Sequence, residues 1–414
     1  MKNDLRIGFF LAIRELKKAN KWTTALIITV MVLTFLNLIV ISGVLVGLIE
    51  GSTDANRYRY TGDLILSTLP KKSFIERSTY IQSLLENHPY VERLSPRYAQ
   101  SGRIEANYKN RTRLSDAVDS AGGLVFGIDP VVEDSVTHLS RYLVEGEYLD
   151  DSDADQILIG ANLLYKYTPV ESPGFSTLKN VEVGSRVRLV INDTSREMTV
   201  KGIIKSKVDP DQGIFMIDRE LKKIIGRNDN NVDSMAVILK KDADPRVVKA
   251  DLVNQGIDQY ALIQTWEEAQ PKFLNDIKAT FALLGNMIGS IGLAVASITI
   301  FIIIFVNAIT RRRFIGILKG IGIRSRAIEV SYVIQSLFYA FFGIAIGSLI
   351  VFLVLQPYIA AHPINFPFSD GILVATFSGT LIRGAILLLA TLIAGYIPAR
   401  LVVKQNTLDA ILGR

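Results

Sequence analysis

Long runs without charged residues limit what this chain can fold into. Residues 22–49, 279–310 and 330–369 contain no Asp, Glu, Lys or Arg, and a fourth apolar stretch, 372–397, contains only Arg383. At about 1.5 Å per residue, 28 uncharged residues in a helix exceed the roughly 30 Å of hydrocarbon in a bilayer. The sequence therefore predicts four transmembrane helices.

The charges between these runs are divided unevenly. Residues 1–21, 310–329 and 398–414 carry a net charge of +11, whereas the remaining segments outside the membrane carry −6. Basic segments mark the cytoplasmic side, so both termini and the loop at 310–329 are expected there. The overall charge of +6 reflects this orientation, and nothing else in the composition supports nucleic-acid binding.

The segment between the first two spans, 50–278, differs in character because charges and turn residues return. Alternating patterns predict strands, and helical patterns predict two helices, the first capped by Ser73; the strands are 63–67, 185–191, 197–203 and 234–239, and the helices are 73–86 and 245–255. The predicted fold class is an α-helical membrane protein with four transmembrane helices and an α+β extracytoplasmic domain inserted between helices 1 and 2.

These patterns divide the chain into nine segments. In order they are a cytoplasmic interfacial helix (1–21), transmembrane helix 1 with a stalk (22–49), the extracytoplasmic domain (50–278), a stalk with transmembrane helix 2 (279–310), a cytoplasmic coupling loop (311–329), transmembrane helix 3 (330–355), a short outer loop (356–371), transmembrane helix 4 (372–397) and a cytoplasmic tail (398–414). The first span is read as a retained anchor, because a cleaved leader has a shorter apolar core. The surplus length of spans 1 and 2 predicts paired stalk helices, with a small-residue face at Gly285, Gly289 and Gly292.

The loop after the second span is basic and amphipathic. Apolar residues recur at helical spacing at Phe314, Ile317, Leu318 and Ile321. We expect this stripe to pack toward the membrane bundle. The opposite face would then be available to a cytoplasmic partner, and it comprises Arg312, Arg313, Ile315, Gly316 and Lys319.

Three segments near the C-terminus carry a resemblance to a known family. They are Arg311-Arg-Arg-Phe-Ile-Gly-Ile-Leu-Lys-Gly-Ile-Gly322, then Gln335, then Gly395-Tyr-Ile-Pro-Ala-Arg400 followed by Leu408-Asp-Ala-Ile-Leu412. In order and spacing they resemble the FtsX-like permease family of ABC transporters, which includes lipoprotein-releasing and macrolide-exporting systems of type VII. The family usually has an acidic residue where this chain has Phe314. The resemblance implies an ATPase-docking element at Arg312, Arg313, Phe314, Ile315, Gly316, Leu318, Lys319 and Gly322.

Four short phrases in the large domain extend the resemblance. They are Phe126–Pro130, Gly146–Leu149, Ile157–Ala161 and Thr265–Glu268, and they are similar to recurring phrases of MacB-like extracytoplasmic domains.

The resemblance also implies partners and a mechanism. The chain would be a non-catalytic permease subunit in the cell (inner) membrane, paired with a second copy or a paralogue and with ABC ATP-binding subunits that hold ATP and Mg²⁺. An extracytoplasmic adaptor is a further expected partner, and the substrate would be a lipoprotein, lipid, peptide or drug. The alternative is a membrane-anchored regulator that transmits an ATPase-driven signal to a cell-wall hydrolase without transport.

Sequence motifs for chemistry within this chain are missing. No Gly-x-x-x-x-Gly-Lys-Ser/Thr phosphate loop and no Gly-x-Ser-x-Gly elbow occurs, so ATP hydrolysis is expected in another chain, and no catalytic residue or cofactor site is predicted. There are no cysteines, and His88, His138 and His362 lie far apart, so no metal site is expected. The acidic run 150–155 lacks the glycine and glutamate of a calcium loop and is read as a solvated turn.

Two sets of polar residues keep alternative interpretations. Lys109, Arg111 and Arg113 lie on a solvated strand face or contact anionic lipid. Arg383 near the middle of span 4 either faces a bundle interface, a partner or water, or reaches outward because the helix starts later. Gln335 is the other intramembrane polar residue singled out.

Overall fold

The computed structural model describes residues 2–109, 119–169, 176–192, 194–270, 272–362, 364–366, 369–371 and 373–404. The predicted features at Arg111, Arg113 and Leu408–Leu412 lie outside these ranges. The chain forms two compact units, which we call the helix unit (1–49, 275–366 and 370–414) and the sheet unit (50–274 with 367–369).

Eleven α-helices occur in the described residues, and four of them are long and apolar enough to cross a membrane. In chain order they are α1 Lys2–Lys18, α2 Lys21–Asn56, α3 Ser78–Glu86, α4 Pro130–Thr137, α5 Asp218–Ile225, α6 Pro245–Asn254, α7 Lys272–Thr310, α8 Arg312–Gly320, α9 Ser325–Ile350, α10 Gln356–Ala361 and α11 Phe377–Val403. The candidate spans lie in α2, α7, α9 and α11. The predicted four-span class with an α+β domain between the first and second spans is confirmed.

Ten strands form the mixed sheet of the sheet unit. They are β1 Leu64–Thr68, β2 Val91–Glu105, β3 Ser120–Ile128, β4 Leu143–Gly146, β5 Gln156–Gly160, β6 Arg186–Ile191, β7 Thr194–Ile204, β8 Gly213–Ile217, β9 Ser234–Leu239 and β10 Ala261–Thr265; β11 Ile364–Phe366 and β12 Ser369–Gly371 lie outside this sheet. The order is β10-β1-β9-β2-β3-β8-β5-β7-β4, and β6 joins β2 to β7. The β3–β8 and β5–β7 pairs are parallel, whereas the other pairs are antiparallel.

The four predicted strands correspond to β1, β6, β7 and β9, and the predicted helix at 245–255 corresponds to α6. The prediction for α3 was wrong at its start, because the helix begins at Ser78. Arg77 adopts a left-handed backbone with φ of 56°, and Ser73 caps nothing there. The Ile75 amide instead donates to the Val232 carbonyl at 2.8 Å, and the Ile75 side chain is buried. Contact with the sheet thus overrides the local capping signal.

The phrase Phe126–Pro130 forms the junction between β3 and α4. Phe126 is buried and stacks on Phe215 of β8 with ring centroids 5.1 Å apart. The Asp129 carboxylate accepts from the backbone amides of Val131 and Val132, and Pro130 occupies the first turn of α4. An N-cap aspartate followed by proline is a local start signal, so this junction is encoded within five residues.

Small residues bring the long helices of the helix unit together. A Cβ added at Gly347 of α9 would lie 2.6 Å from Phe35 of α2, and one added at Gly285 of α7 would lie 3.2 Å from Leu45 of α2. The glycines of α7 therefore face α2, as the small-residue pattern predicted.

Helix α1 packs on α9 through a narrow face. Asp4, Gly8 and Ala12 recur every four residues and are buried, and a Cβ at Gly8 would lie 2.7 Å from Val330. The larger apolar residues Leu5 and Phe9 are exposed. The apolar side chains of this helix therefore lie on two faces, with Ala12 against α9 and the bulkier Leu5 and Phe9 free to meet lipid.

Candidate functional site

Helix α8 buries one face and exposes a ridge of apolar residues on the other. Ile315, Gly316 and Leu318 are buried. Phe314 and Ile317 are each 48% exposed and Ile321 is 72% exposed. We call these three exposed residues the α8 ridge.

The predicted division of faces was therefore wrong at Phe314, Ile317 and Ile321, which are exposed. It was correct at Leu318, which is buried, and at Arg313, which is exposed. Ile315 and Gly316, expected to be available to a partner, pack inside the helix unit. Leu318 is four residues after Phe314 and three residues after Ile315, so on a helix it can share a face with either residue. The sequence therefore allowed two inward faces, one containing Phe314 and Leu318 and the other containing Ile315 and Leu318. In the structure the stripe that begins at Ile315 faces inward, because Ile315 and Leu318 pack in the core of the helix unit.

Contacts at its C-terminal end hold α8 against the bundle. The Lys319 ammonium donates to the carbonyl of Val403, the last residue of α11, at 3.1 Å. Gly322 has φ of 95°, a conformation that L-residues with a side chain rarely adopt, and it turns the chain into α9. Arg313 is exposed beside the ridge. The buried face thus anchors α8, while the ridge and Arg313 stay accessible within the chain.

A polar cluster lies beside α8 where α1, α7 and α9 meet. The Gln335 side-chain amide, on a residue only 4% exposed, donates to a Glu15 carboxylate oxygen at 2.6 Å, and the other oxygen lies 3.6 Å from the Arg311 guanidinium. A cavity of about 220 Å³ adjoins the cluster, and its walls include Thr24 and Asn307. Gln335 is therefore satisfied by a residue that sequence reasoning missed. The signal that the sequence offered for this contact was Glu15 itself, an acidic residue beside Arg14, Lys17 and Lys18 in the basic end of α1.

The end of α11 joins the same region. A Cβ at Gly395 would collide with the Ser336 hydroxyl, so this glycine allows α11 to lie against α9 next to Gln335. Pro398 lies inside the helix, and Ala399 and Val403 are buried. Helix α8, Gln335 and the Gly395–Arg400 segment, which are distant in sequence, thus lie at one end of the helix unit.

A family comparison agrees with this arrangement. The model of the FtsX-like permease C-terminal region matches residues 286–407, which contain α8, Gln335 and Gly395–Arg400 but not Leu408–Leu412. This part of the chain is an FtsX-like permease domain.

A curated relative carries the name of a permease. The chain is 24% identical over 280 residues to the uncharacterized ABC transporter permease MJ1507 of Methanocaldococcus jannaschii, and the match covers 65% of each chain. It therefore spans just under two thirds of that relative's length.

Two solved structures are similar to the sheet unit in outline. The periplasmic region of MacB from Actinobacillus actinomycetemcomitans has 13% identity and a TM-score of 0.35, covering 51% of this chain and 92% of that one. The extracellular domain of the noncanonic ABC-type transporter YknZ from Gram-positive bacteria has 12% identity and a TM-score of 0.33, covering 49% and 99%.

Arg383 lies elsewhere within residues 286–407, and its position combines parts of its two interpretations, because the helix starts later and the side chain contacts a neighbouring helix. Helix α11 begins at Phe377 instead of residue 372, so Arg383 is about 9 Å from the helix start. Its guanidinium donates to the Ser42 hydroxyl of α2. The residue therefore reaches sideways to a neighbouring helix near one end of the span.

The acidic run in the sheet unit forms a turn closed by its own side chains. The Asp153 carboxylate accepts from the Asp150 amide at 2.7 Å and from the Lys201 ammonium at 2.5 Å. Asp155 instead lies 3.9 Å from Arg196. The carboxylates of this run thus point to different cations.

Proposed function

We propose that this FtsX-like chain is the permease subunit of an ABC transporter and that a separate ATP-binding subunit docks on α8. The observation that carries the proposal is the α8 ridge, which exposes Phe314, Ile317 and Ile321 on a helix whose other face is buried. Contiguous apolar side chains on an anchored helix are typical of a protein interface.

The ridge supplies the part of such an interface that contributes most to affinity. Exposed ion pairs contribute about 0–1 kcal/mol, so Arg312 and Arg313 would orient the partner more than hold it. Apolar anchors buried in a partner's groove contribute more. The contact between Lys319 and Val403 would carry movement of α8 into α11.

The same proposal covers the subunit composition of the complex and its orientation in the membrane. Two permease copies, or this chain and a paralogue, would pair with two ATP-binding subunits that hold ATP and Mg²⁺ in the cytoplasm. The α8 end of the helix unit would face the cytoplasm across the cell (inner) membrane, and the sheet unit would lie outside and meet an adaptor. ATP-driven closure would move α2 and α7, and the sheet unit would act on a lipoprotein, lipid, peptide or drug.

The test is the variant Ile317→Glu, compared with Val131→Glu as a matched control. Val131 is 72% exposed in the sheet unit, so its change adds the same charge far from α8. The chain would be purified from its own host, and the yield of the co-purified ATP-binding subunit and its ATP hydrolysis would be measured. We expect Ile317→Glu to weaken the complex about 30-fold, as loss of an interface anchor does, and Val131→Glu to leave it unchanged.

Two outcomes would refute the proposal. Either no ATP-binding subunit co-purifies with the wild-type chain, or Ile317→Glu binds it normally at normal abundance. A bulky change at Gly316 is unsuitable for this purpose, because Gly316 is buried and its replacement would disturb the helix unit itself. A complex that hydrolyses ATP and activates a cell-wall hydrolase without moving a substrate would retain the docking site but replace transport by regulation.

A further inference from the structure

A cleft of about 470 Å³ lies between α2, α7 and α11, away from the α8 end. Its polar wall is formed by Ser42, Asn286, Ser290 and Arg383, and Gly289 leaves it open beside Leu38. The cleft belongs to the helix unit, and neither the docking of an ATP-binding subunit nor the polar cluster at Gln335 uses it.

Two independent residue counts place the cleft at a membrane boundary. Ser42 lies 21 residues after Lys21, the last charged residue before the α2 run, and Ser290 lies 21 residues before Arg311. Each distance is about 32 Å along a helix, close to the roughly 30 Å thickness of the hydrocarbon layer. The charges at Lys21 and Arg311 mark one boundary of the membrane. The cleft therefore lies at the opposite boundary, where lipid phosphates begin.

The Arg383 guanidinium is held in the cleft but only partly satisfied. Its side chain leans toward the start of α11 over Gly379, where an added Cβ would lie 2.8 Å from a guanidinium nitrogen. Within the described residues its one hydrogen-bond acceptor is the Ser42 hydroxyl, whereas a guanidinium has five N–H donors. An oxyanion beside it would accept the remaining hydrogen bonds and offset the cost of a charge at this depth.

We propose that this cleft binds the phosphate headgroup of an acidic phospholipid, with Arg383 as the anion-binding residue and Ser42 as the residue that positions it. Charge complementarity selects the headgroup, because the cleft wall contains one cation and no carboxylate among the described residues. The acyl chains would run along Ile382 and Ile386, which are exposed next to Arg383. A lipid at this position would touch α2, α7 and α11 together and could couple their movement to membrane composition.

The test measures which lipids stay on the full chain after extraction from vesicles of equal phosphatidylglycerol and phosphatidylcholine. Native mass spectrometry would give the ratio of the two bound lipids. We expect about a fivefold preference for phosphatidylglycerol, the ratio that one basic residue near an anionic surface provides. Arg383→Met should abolish the preference, whereas Arg326→Met, at an exposed arginine of α9 near α8, should retain it.

A second variant keeps the test decisive if Arg383→Met is poorly inserted. Ser290→Leu fills the cleft from an exposed position while leaving Arg383 in place, and it should also remove the preference.

An unchanged preference in both cleft variants, or an equal loss in Arg326→Met, would overturn the proposal. So would displacement of the bound lipid by excess inorganic phosphate, which would indicate a free-anion site. Dissociation of a wild-type dimer by Arg383→Met in pure phosphatidylcholine would assign the cleft to a second copy of the chain instead.

Discussion

Two hydrogen bonds of 2.8 Å join the Arg97 guanidinium to the Glu133 carboxylate inside the sheet unit. Both residues are at most 2% exposed, and Ser95 and Thr137 donate to the same carboxylate at 2.7 Å and 2.9 Å. The Tyr60 ring lies 5.1 Å from the guanidinium carbon. This pair ties β2 to α4 and to the π-helical turn Arg57–Thr61 that follows α2.

Replacing Arg97 alone should destabilise the sheet unit strongly. Arg97→Met leaves a buried carboxylate without its cation, which typically costs about 3–5 kcal/mol, whereas Arg97→Met with Glu133→Leu removes both charges and should recover much of that loss. Hydrogen exchange of the β2 amides in the full-length chain would measure the effect. If the double variant were no more stable than Arg97→Met, the unpaired Glu133 carboxylate would not be the cause of the destabilisation.

Close packing of α9 on α2 predicts that alanine substitutions at two glycines, Gly343 and Gly320, change stability by different amounts. A Cβ at Gly343 would collide with the Met31 side chain and lie 3.1 Å from its carbonyl carbon, whereas a Cβ at Gly320 of α8 would meet nothing within 4 Å. Gly343→Ala should therefore lower the free energy of unfolding by about 1–3 kcal/mol. Gly320→Ala should be neutral or stabilise α8, because alanine favours helix. Thermal unfolding of the detergent-solubilised chain would compare the two, and equal effects would contradict the close approach.

The Glu268 carboxylate, near the C-terminal end of the sheet unit, predicts that the stability of this unit depends on pH. The Lys249 ammonium at 2.6 Å and the Thr265 amide at 3.0 Å donate to Glu268 and lower its pKa below the ordinary value. Since the folded-state pKa is lowered, the stabilisation is present above the ordinary glutamate pKa and is lost as pH falls through the folded pKa.

Glu268→Gln should accordingly destabilise the sheet unit at neutral pH by less than about 1 kcal/mol, because the pair is solvent-screened. The difference from wild type should vanish in acid. Unfolding monitored at neutral and acidic pH would check this, and a difference that grows on acidification would reverse the assigned sign.

The absence of native cysteines allows a direct test of orientation. Lys241→Cys in the sheet unit and Arg326→Cys beside α8 are both exposed positions. An impermeant maleimide added to intact cells should label the first and reach the second only after permeabilisation. Labelling of both from outside would rule out the proposed topology.

The sequence by itself determined the elements whose cause is local. The uncharged runs specify α2, α7, α9 and α11, because a helix satisfies its backbone hydrogen bonds within one segment and needs only apolar side chains to enter a membrane. Alternation specified β6 and β7, and Asp129 with Pro130 specified the start of α4.

Only the tertiary structure determined which of these elements contact each other. Glu15 contacts Gln335, which is 320 residues away in sequence, and Ser42 contacts Arg383, which is 341 residues away. The Ile75 amide donates to the Val232 carbonyl just before β9, where Ser73 had predicted a helix cap. On α8, Leu318 fits either of two stripes, and contact with the bundle selected the one containing Ile315. Helical spacing states which residues share a face, but the direction of that face depends on packing against segments distant in the chain.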